Sequence, residues 1–289
     1  MSGVTRRRLL LSAAGGVLGA TGLLAVGCGP TAAPQPRLAG KVAVLRDSFP
    51  GFVPGATDAV IGQLRADGMT VDVLDGQQVG DAGRLTSANY RALVLGDARF
   101  FPAAAVGTLA GYLMPGGGAA PGNLVAIGGP FLSALQTPQG GQWIAAPASA
   151  AASLPSLTGL IPVHPGDADQ SYVISEAVQL SVEPGQVLVT RLPRIGPAGG
   201  LISPVYRPRG LGMVGANTAP PYRFIPVVTA RGTDGALRGA PGAALLHAGG
   251  RAAGAGWILL GLSPALLASA AAYAAAFTAQ ALAALLRGA

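Results

Sequence analysis

Four short apolar runs, Val42–Leu45, Thr70–Leu74, Ala92–Leu95 and Leu124–Ile127, punctuate the stretch from Lys41 to Pro130. An aspartate follows each of the first three within two residues (Asp47, Asp75, Asp97), and Gly128-Gly129 follows the fourth. Helix-length segments separate the first run from the second and the third from the fourth. Strand–helix alternation at these lengths predicts βαβ units and an α/β fold with a parallel sheet flanked by helices. Loops at the carboxyl ends of such strands gather on one edge, where ligands bind. Asp47, Asp75, Asp97 and the Gly-Gly turn are therefore expected to converge.

Within this frame a helix is expected over about Thr57 to Ala66, with Thr57 as its cap, Val60, Ile61 and Leu64 as its buried stripe and Gly68 as its stop. Residues 76–90 are polar without clear periodicity and read as loop or weak helix. Pro102 starts a helix in which Val106, Leu109, Ala110 and Leu113 follow helical spacing, and Gly116-Gly117-Gly118 ends it.

The second half changes character. Residues 136–170 are rich in Pro, Gly, Ala and Ser and predict surface loops and a mobile lid. Strand-like runs follow at Val178–Val182, Gln186–Thr190, Tyr222–Thr229, Ala243–His247 and Trp257–Leu260, with turns at Pro184-Gly185 and Asp234-Gly235. They predict a β-rich extension over about 172–255, with Trp257–Leu260 returning to the main sheet. From Pro264 a closing C-terminal helix runs to Leu286, with Leu266, Ala270, Tyr273, Phe277, Ala281 and Leu285 on one face. A membrane span is the rival reading of that Ala-rich segment. Its one-sided large residues, with Ser269 and Gln280 inside it, favour a packed amphipathic helix.

The N-terminus reads as an address. Arg6-Arg7-Arg8 precedes an almost wholly apolar or small-residue stretch from Leu9 to Gly27, which meets Cys28. A basic start, apolar middle and small residues before a cut site make an export signal over residues 1–27. Arg6 and Arg7 followed by two leucines resemble a twin-arginine signal. Ala25-Val26-Gly27-Cys28 resembles a bacterial lipobox, with Cys28 as the lipidated residue; a plain membrane helix, or a signal cut elsewhere by another peptidase, is the alternative. Residues 28–40, with Pro30, Pro34 and Pro36, then form a tether, and residues 41–289 the folded body. On this reading the protein sits at the extracytoplasmic face of a bacterial membrane, its membrane partner held through the lipid.

Composition trims the remaining options. The 289 residues are half apolar and 11% charged, which excludes a disordered chain. The formal charge of +7 comes from 19 basic and 12 acidic residues, and Arg6, Arg7 and Arg8 supply three of the former. The body has no basic run, so no nucleic-acid partner is expected. Cys28 is the single cysteine, which rules out an intrachain disulfide and a cysteine-based zinc cluster.

Asp97-Ala98-Arg99 before Pro102, and the run Asn123-Leu124-Val125-Ala126-Ile127-Gly128-Gly129-Pro130, resemble class I glutamine amidotransferase-like domains. The resemblance is nearer to the non-catalytic members attached to bacterial glycoside hydrolases, related to the beta-galactosidase trimerisation domain. Tyr222–Pro226, Asp234–Gly239 and Trp257–Gly261 extend it over most of residues 41–287. It implies a flavodoxin-like sheet and a binding or assembly role linked to carbohydrate or cell-envelope processing. The departures matter. A working amidotransferase carries a cysteine on the turn after a core strand, where this chain has Gly128-Gly129. Neither His164 nor His247 has the expected Glu two residues on. Thiolate chemistry needs a thiol, so amidotransferase activity is excluded.

The candidate ligand-binding residues are Asp47, Ser48, Asp97, Arg99, Gly128 and Gly129. Two carboxylates at one edge suit acid/base work or sugar hydroxyls, and Arg99 suits an anionic group. A hydrolase using Asp47 and Asp97 is the alternative function. Structural roles compete with each: aspartates cap loops and helices, Arg99 pairs with one of them, and Gly-Gly permits a tight turn. Ser263 before Pro264 reads as a helix N-cap rather than a nucleophile. Asp167–Ser171 is a poor match to a calcium loop, and His164 and His247 have no metal-ligand spacing. Arg207-Pro208-Arg209 with Tyr206 and Tyr222 reads as a solvated loop before a partner surface. No catalytic residue, cofactor or metal is assigned, and a carbohydrate or an envelope protein is the expected partner.

Overall fold

The computed structural model describes residues 40–113, 115, 119–147 and 149, then 171–174, 176–182, 192, 200–204, 222–247 and 256–287. Arg6, Arg7, Cys28, Gly116–Gly118, His164, Asp167–Gln170, Pro184–Thr190 and Tyr206–Arg209 lie outside the described residues. The main sheet has eight strands. Its parallel part comprises β1 (Lys41–Leu45), β2 (Thr70–Leu74), β3 (Ala92–Leu95), β5 (Asn123–Ile127) and β13 (Gly256–Leu260). They lie side by side in the order β2-β1-β3-β5-β13, every neighbouring pair parallel. Counted along the chain, that is the flavodoxin-like order 2-1-3-4-5.

The strands alternate strictly between two cores. Val42, Val44, Val94, Val125, Ile127, Ile258 and Leu260 face one side, while Ala43, Leu45, Leu93, Leu95, Leu124, Ala126, Trp257 and Leu259 face the other. Burial on both faces explains why these strands read as unbroken apolar runs. The first core is closed by α1 (Pro54–Ala66), α4 (Pro264–Ser269) and α5 (Ala271–Arg287). The second is closed by α2 (Gly76–Gly80), α3 (Val106–Leu113) and the aromatic loops above them. Asn123 pins the start of β5: its amide donates to the Arg91 carbonyl at 2.9 Å and accepts from the Gly256 N–H at 3.0 Å.

Past β13 the sheet turns antiparallel through β12 (Leu237–His247), β11 (Tyr222–Arg231) and β9 (Gln179–Val182). This is the expected β-rich extension, and Trp257–Leu260 does return to the parallel core. A two-stranded ribbon pairs β8 (Ser171–Ile174) with β10 (Leu201–Pro204).

Several local expectations are corrected. Helix α1 starts at Pro54, and Thr57 does not cap it. Thr57 is fully buried in the second turn because its side chain packs on Gly96, where an added Cβ would stand 2.9 Å from the Thr57 Cα. Residues 76–80 are helical, set by a capping box in which Asp75 accepts from the Gln78 N–H at 2.8 Å and Gln78 accepts from Asp75 at 3.1 Å. Pro102 ends a short strand, β4 (Phe100–Pro102), before a 3-10 turn leads into α3. Tyr112 joins the α3 stripe, where Ala110 packs half-buried against the second core.

The start of the presumed loop region is a hairpin, β6 (Ala134–Gln139) with β7 (Gln142–Ala145), which pairs with β4. Gly140 and Gly141, both at positive φ (57° and 80°), make its two-residue turn. The closing helix breaks at Ala270 into α4 and α5, yet all six residues of the expected face are buried. Among the described residues no helix is long and apolar enough to cross a membrane.

Candidate functional site

The order 2-1-3 places a topological switch point between β1 and β3, and the crevice beyond their carboxyl ends is where such sheets bind ligands. The loop leaving β1 carries Asp47 and Ser48, and the loop leaving β3 carries Asp97 and Arg99. Gly128 and Gly129 leave β5 beside them. The expected convergence at this edge therefore holds for Asp97 and Gly128. A Cβ added at Gly128 would sit 3.4 Å from Asp97 Oδ1.

Asp97 is 1% exposed, and its carboxylate is filled by the protein's own donors. Arg99 donates Nε to Oδ1 at 2.8 Å and Nη2 to Oδ2 at 2.7 Å, a bidentate pair. The Val53 N–H donates to Oδ2 at 3.0 Å, so Asp97 also anchors the residue preceding α1. Arg99 Nη2 reaches the Gly51 carbonyl at 3.0 Å, and its guanidinium lies 4.7 Å above the Phe100 ring. The β1 loop is thereby drawn across the switch point and fastened to the β3 loop.

Asp47 has a comparable task at the other end of that loop. Its Oδ1 accepts from the Ser48 N–H at 2.7 Å, and its Oδ2 from the Gly76 N–H at 2.7 Å. It ties β1 to the first residue of α2. Arg46, next to it, pairs with Asp58 on α1 at 2.6 Å. The hydrogen bond from Arg46 holds the Asp58 carboxyl below its ordinary value.

Gly128 (φ 86°) donates its N–H to the Leu260 carbonyl at 2.8 Å, and Gly129 donates to Leu262 at 3.2 Å. Ala98 donates to Ile127 at 2.7 Å. These amides close the joint between β3, β5 and β13, so the turn presents no free pair of donors to an oxyanion. Ser263 caps α4, accepting from the Leu266 N–H at 3.4 Å.

Sequence reasoning missed the aromatic residues that fill the crevice. Phe49 meets Phe52 edge-on at 6.0 Å, Phe100 stacked at 6.1 Å and Trp143 edge-on at 5.0 Å. Phe49-x-x-Phe52 directly after a core strand was the available signal. Trp143 arrives from β7, over Gly76. A Cβ at Gly76 would lie 2.6 Å from Trp143 Cζ2 and 3.0 Å from Asp47 Oδ2, so only glycine leaves room for that ring. Among the described residues no group of three His, Cys, Asp or Glu side chains converges as a metal site would require.

No family model and no curated protein matches the chain. Among solved structures it is similar to a ThuA-like protein from Bacteroides uniformis, with a TM-score of 0.46 at 10% sequence identity, over 89% of this chain and 99% of that one. The fold described here rests on strand order and register, not on that likeness. The conclusion is an α/β body with a flavodoxin-like parallel sheet, antiparallel along one flank.

Proposed function

We propose that the protein is an exported lipoprotein. On this reading Cys28 anchors it to the extracytoplasmic face of a bacterial membrane, and its amidotransferase-like body is a binding or assembly module in carbohydrate or envelope processing. The observation that carries the module reading is the state of Asp97. A general acid or base must reach substrate and exchange a proton with it. Asp97 instead lies beneath the β1 loop with three donors on its two oxygens. Asp47 ties the β1 loop to α2 through the Ser48 and Gly76 N–H groups, and the body holds no thiol. These arrangements weigh against the hydrolase alternative and favour a surface that recognises a partner. The link to carbohydrate comes from the family resemblance.

Cell fractionation with a clickable fatty-acid label tests the address. The full chain is expected in the membrane fraction and labelled, Cys28→Ala unlabelled and released, and Arg6→Lys/Arg7→Lys retained inside the cell. A cytoplasmic, unlabelled full chain would refute the reading.

A further inference from the structure

At the crevice rim, half-buried groups that keep some bonding capacity lie together. Trp143 is half-buried: its ring meets Phe49 at 5.0 Å with the planes 65° apart, its Cζ2 and Cη2 lie against Gly76, and its N–H has no partner among the described residues. Asp47 is also half-buried and stands against the same Gly76 position, with acceptor capacity left after its two short bonds. The Ser48 hydroxyl, exposed beside it, donates to Asp47 Oδ1 at 3.4 Å. In the hairpin, Gln136 pairs with Ala145 and Pro138 with Trp143, which puts Gln136 on the same face as Trp143. Gln136 is 3% exposed, and its Oε1 has no partner. An orphaned acceptor at that depth calls for a donor from outside the chain.

We propose that Trp143 and Asp47 form a subsite for one ring of a neutral saccharide, the indole serving as platform and the carboxylate as hydroxyl acceptor. This rests on the binding-module reading and gives it a ligand class. The electron-rich indole face attracts the weakly positive C–H bonds on a sugar ring's apolar face. Hydroxyls supply both partners the site lacks, donors for Asp47 and Gln136 and an acceptor for the indole N–H. Charge argues against an acidic sugar: Asp47 repels it, and the nearby cations are engaged, Arg99 on Asp97 and Gly51 and Arg46 on Asp58. A cationic ligand would leave the indole N–H unmet.

The chain contains two tryptophans, and Trp257 is fully buried, so ligand-induced emission changes report Trp143. The full chain is titrated with cellotriose, maltotriose and chitotriose, with trigalacturonate and choline as charged controls. A saturable change is expected with at least one neutral trisaccharide below about 10 mM and with neither control. Calorimetry should then show binding weakened about tenfold or more in Trp143→Leu. Trp143→Phe, which keeps a ring on Phe49 but lacks the N–H, serves where Trp143→Leu lowers the melting temperature. Saturation by a control, or saccharide binding unchanged in both variants, overturns the subsite. No saturation by any probe does so too. In each of these cases the anchored assembly reading stands, because fractionation tests it separately.

Discussion

Arg99 grips both oxygens of Asp97, two residues before it in the chain, and passes the same Nη2 on to the carbonyl of Gly51. One side chain thus joins the turn after β3 to the loop after β1. The pair is secluded, with Asp97 at 0% and Arg99 at 15% side-chain exposure, so its worth depends on every donor being met.

Lysine at position 99 would keep the charge and lose the fork. It cannot hold two carboxylate oxygens in one plane, nor stack on Phe100 as a guanidinium does. Arg99→Lys is expected to lower the unfolding free energy by about 1–2 kcal/mol, measured by urea denaturation. An unchanged midpoint would mean that the bidentate geometry contributes nothing.

Thr57 and Gly96 make a second pair with opposite expectations. The Thr57 hydroxyl is buried without a partner, so Thr57→Val removes an unmet polar group at nearly constant shape. It is expected to stabilise the protein by about 1 kcal/mol. Gly96→Ala drives a methyl into the backbone of α1 and is expected to cost about 1–3 kcal/mol. Thermal melts of the two variants should shift in opposite directions.

Stability should fall at both ends of the pH range. Hydrogen bonds from Arg46 and from Lys41 hold Asp58 and Asp72, respectively, below the ordinary 3.8, so the stability they supply is present above that value. It is lost as pH falls through their lowered folded-state values. Both pairs are exposed, so the loss is small and shrinks in high salt. Burial pushes Tyr112 and Tyr273 above the ordinary 10.0. A raised phenol supplies stability below that value and loses it as pH rises beyond. Ultraviolet titration should find these two of the six tyrosines ionising only as the chain unfolds. Their ionisation in the native protein would contradict the packing described.

The parallel core was legible because its strands are buried on both faces, which leaves apolar runs such as Val42–Leu45 that nothing else explains. The edge positions of Asp47, Asp97 and Gly128 followed from that topology. Their partners did not, because hydrogen bonds between loops depend on how each loop folds back. Thr57 was misread as a cap although Pro54, a first-turn residue, stood three positions earlier. The β6–β7 hairpin was hidden by its Pro and Gln content. Its first strand, β6, is held by β4, and only the Gly140-Gly141 turn signalled it. Trp143, carried by that hairpin, was hidden with it.

On this reading the carboxylate at the switch point serves the fold and not a reaction. A double-mutant cycle of Asp97→Ala and Arg99→Ala, followed by urea denaturation, tests it most directly. Each single variant should lose about 3 kcal/mol or more, and the double variant clearly less than the sum, because removing both partners strands neither charge. An Asp97→Ala variant that keeps full stability while losing a hydrolytic activity of the intact chain would contradict the account.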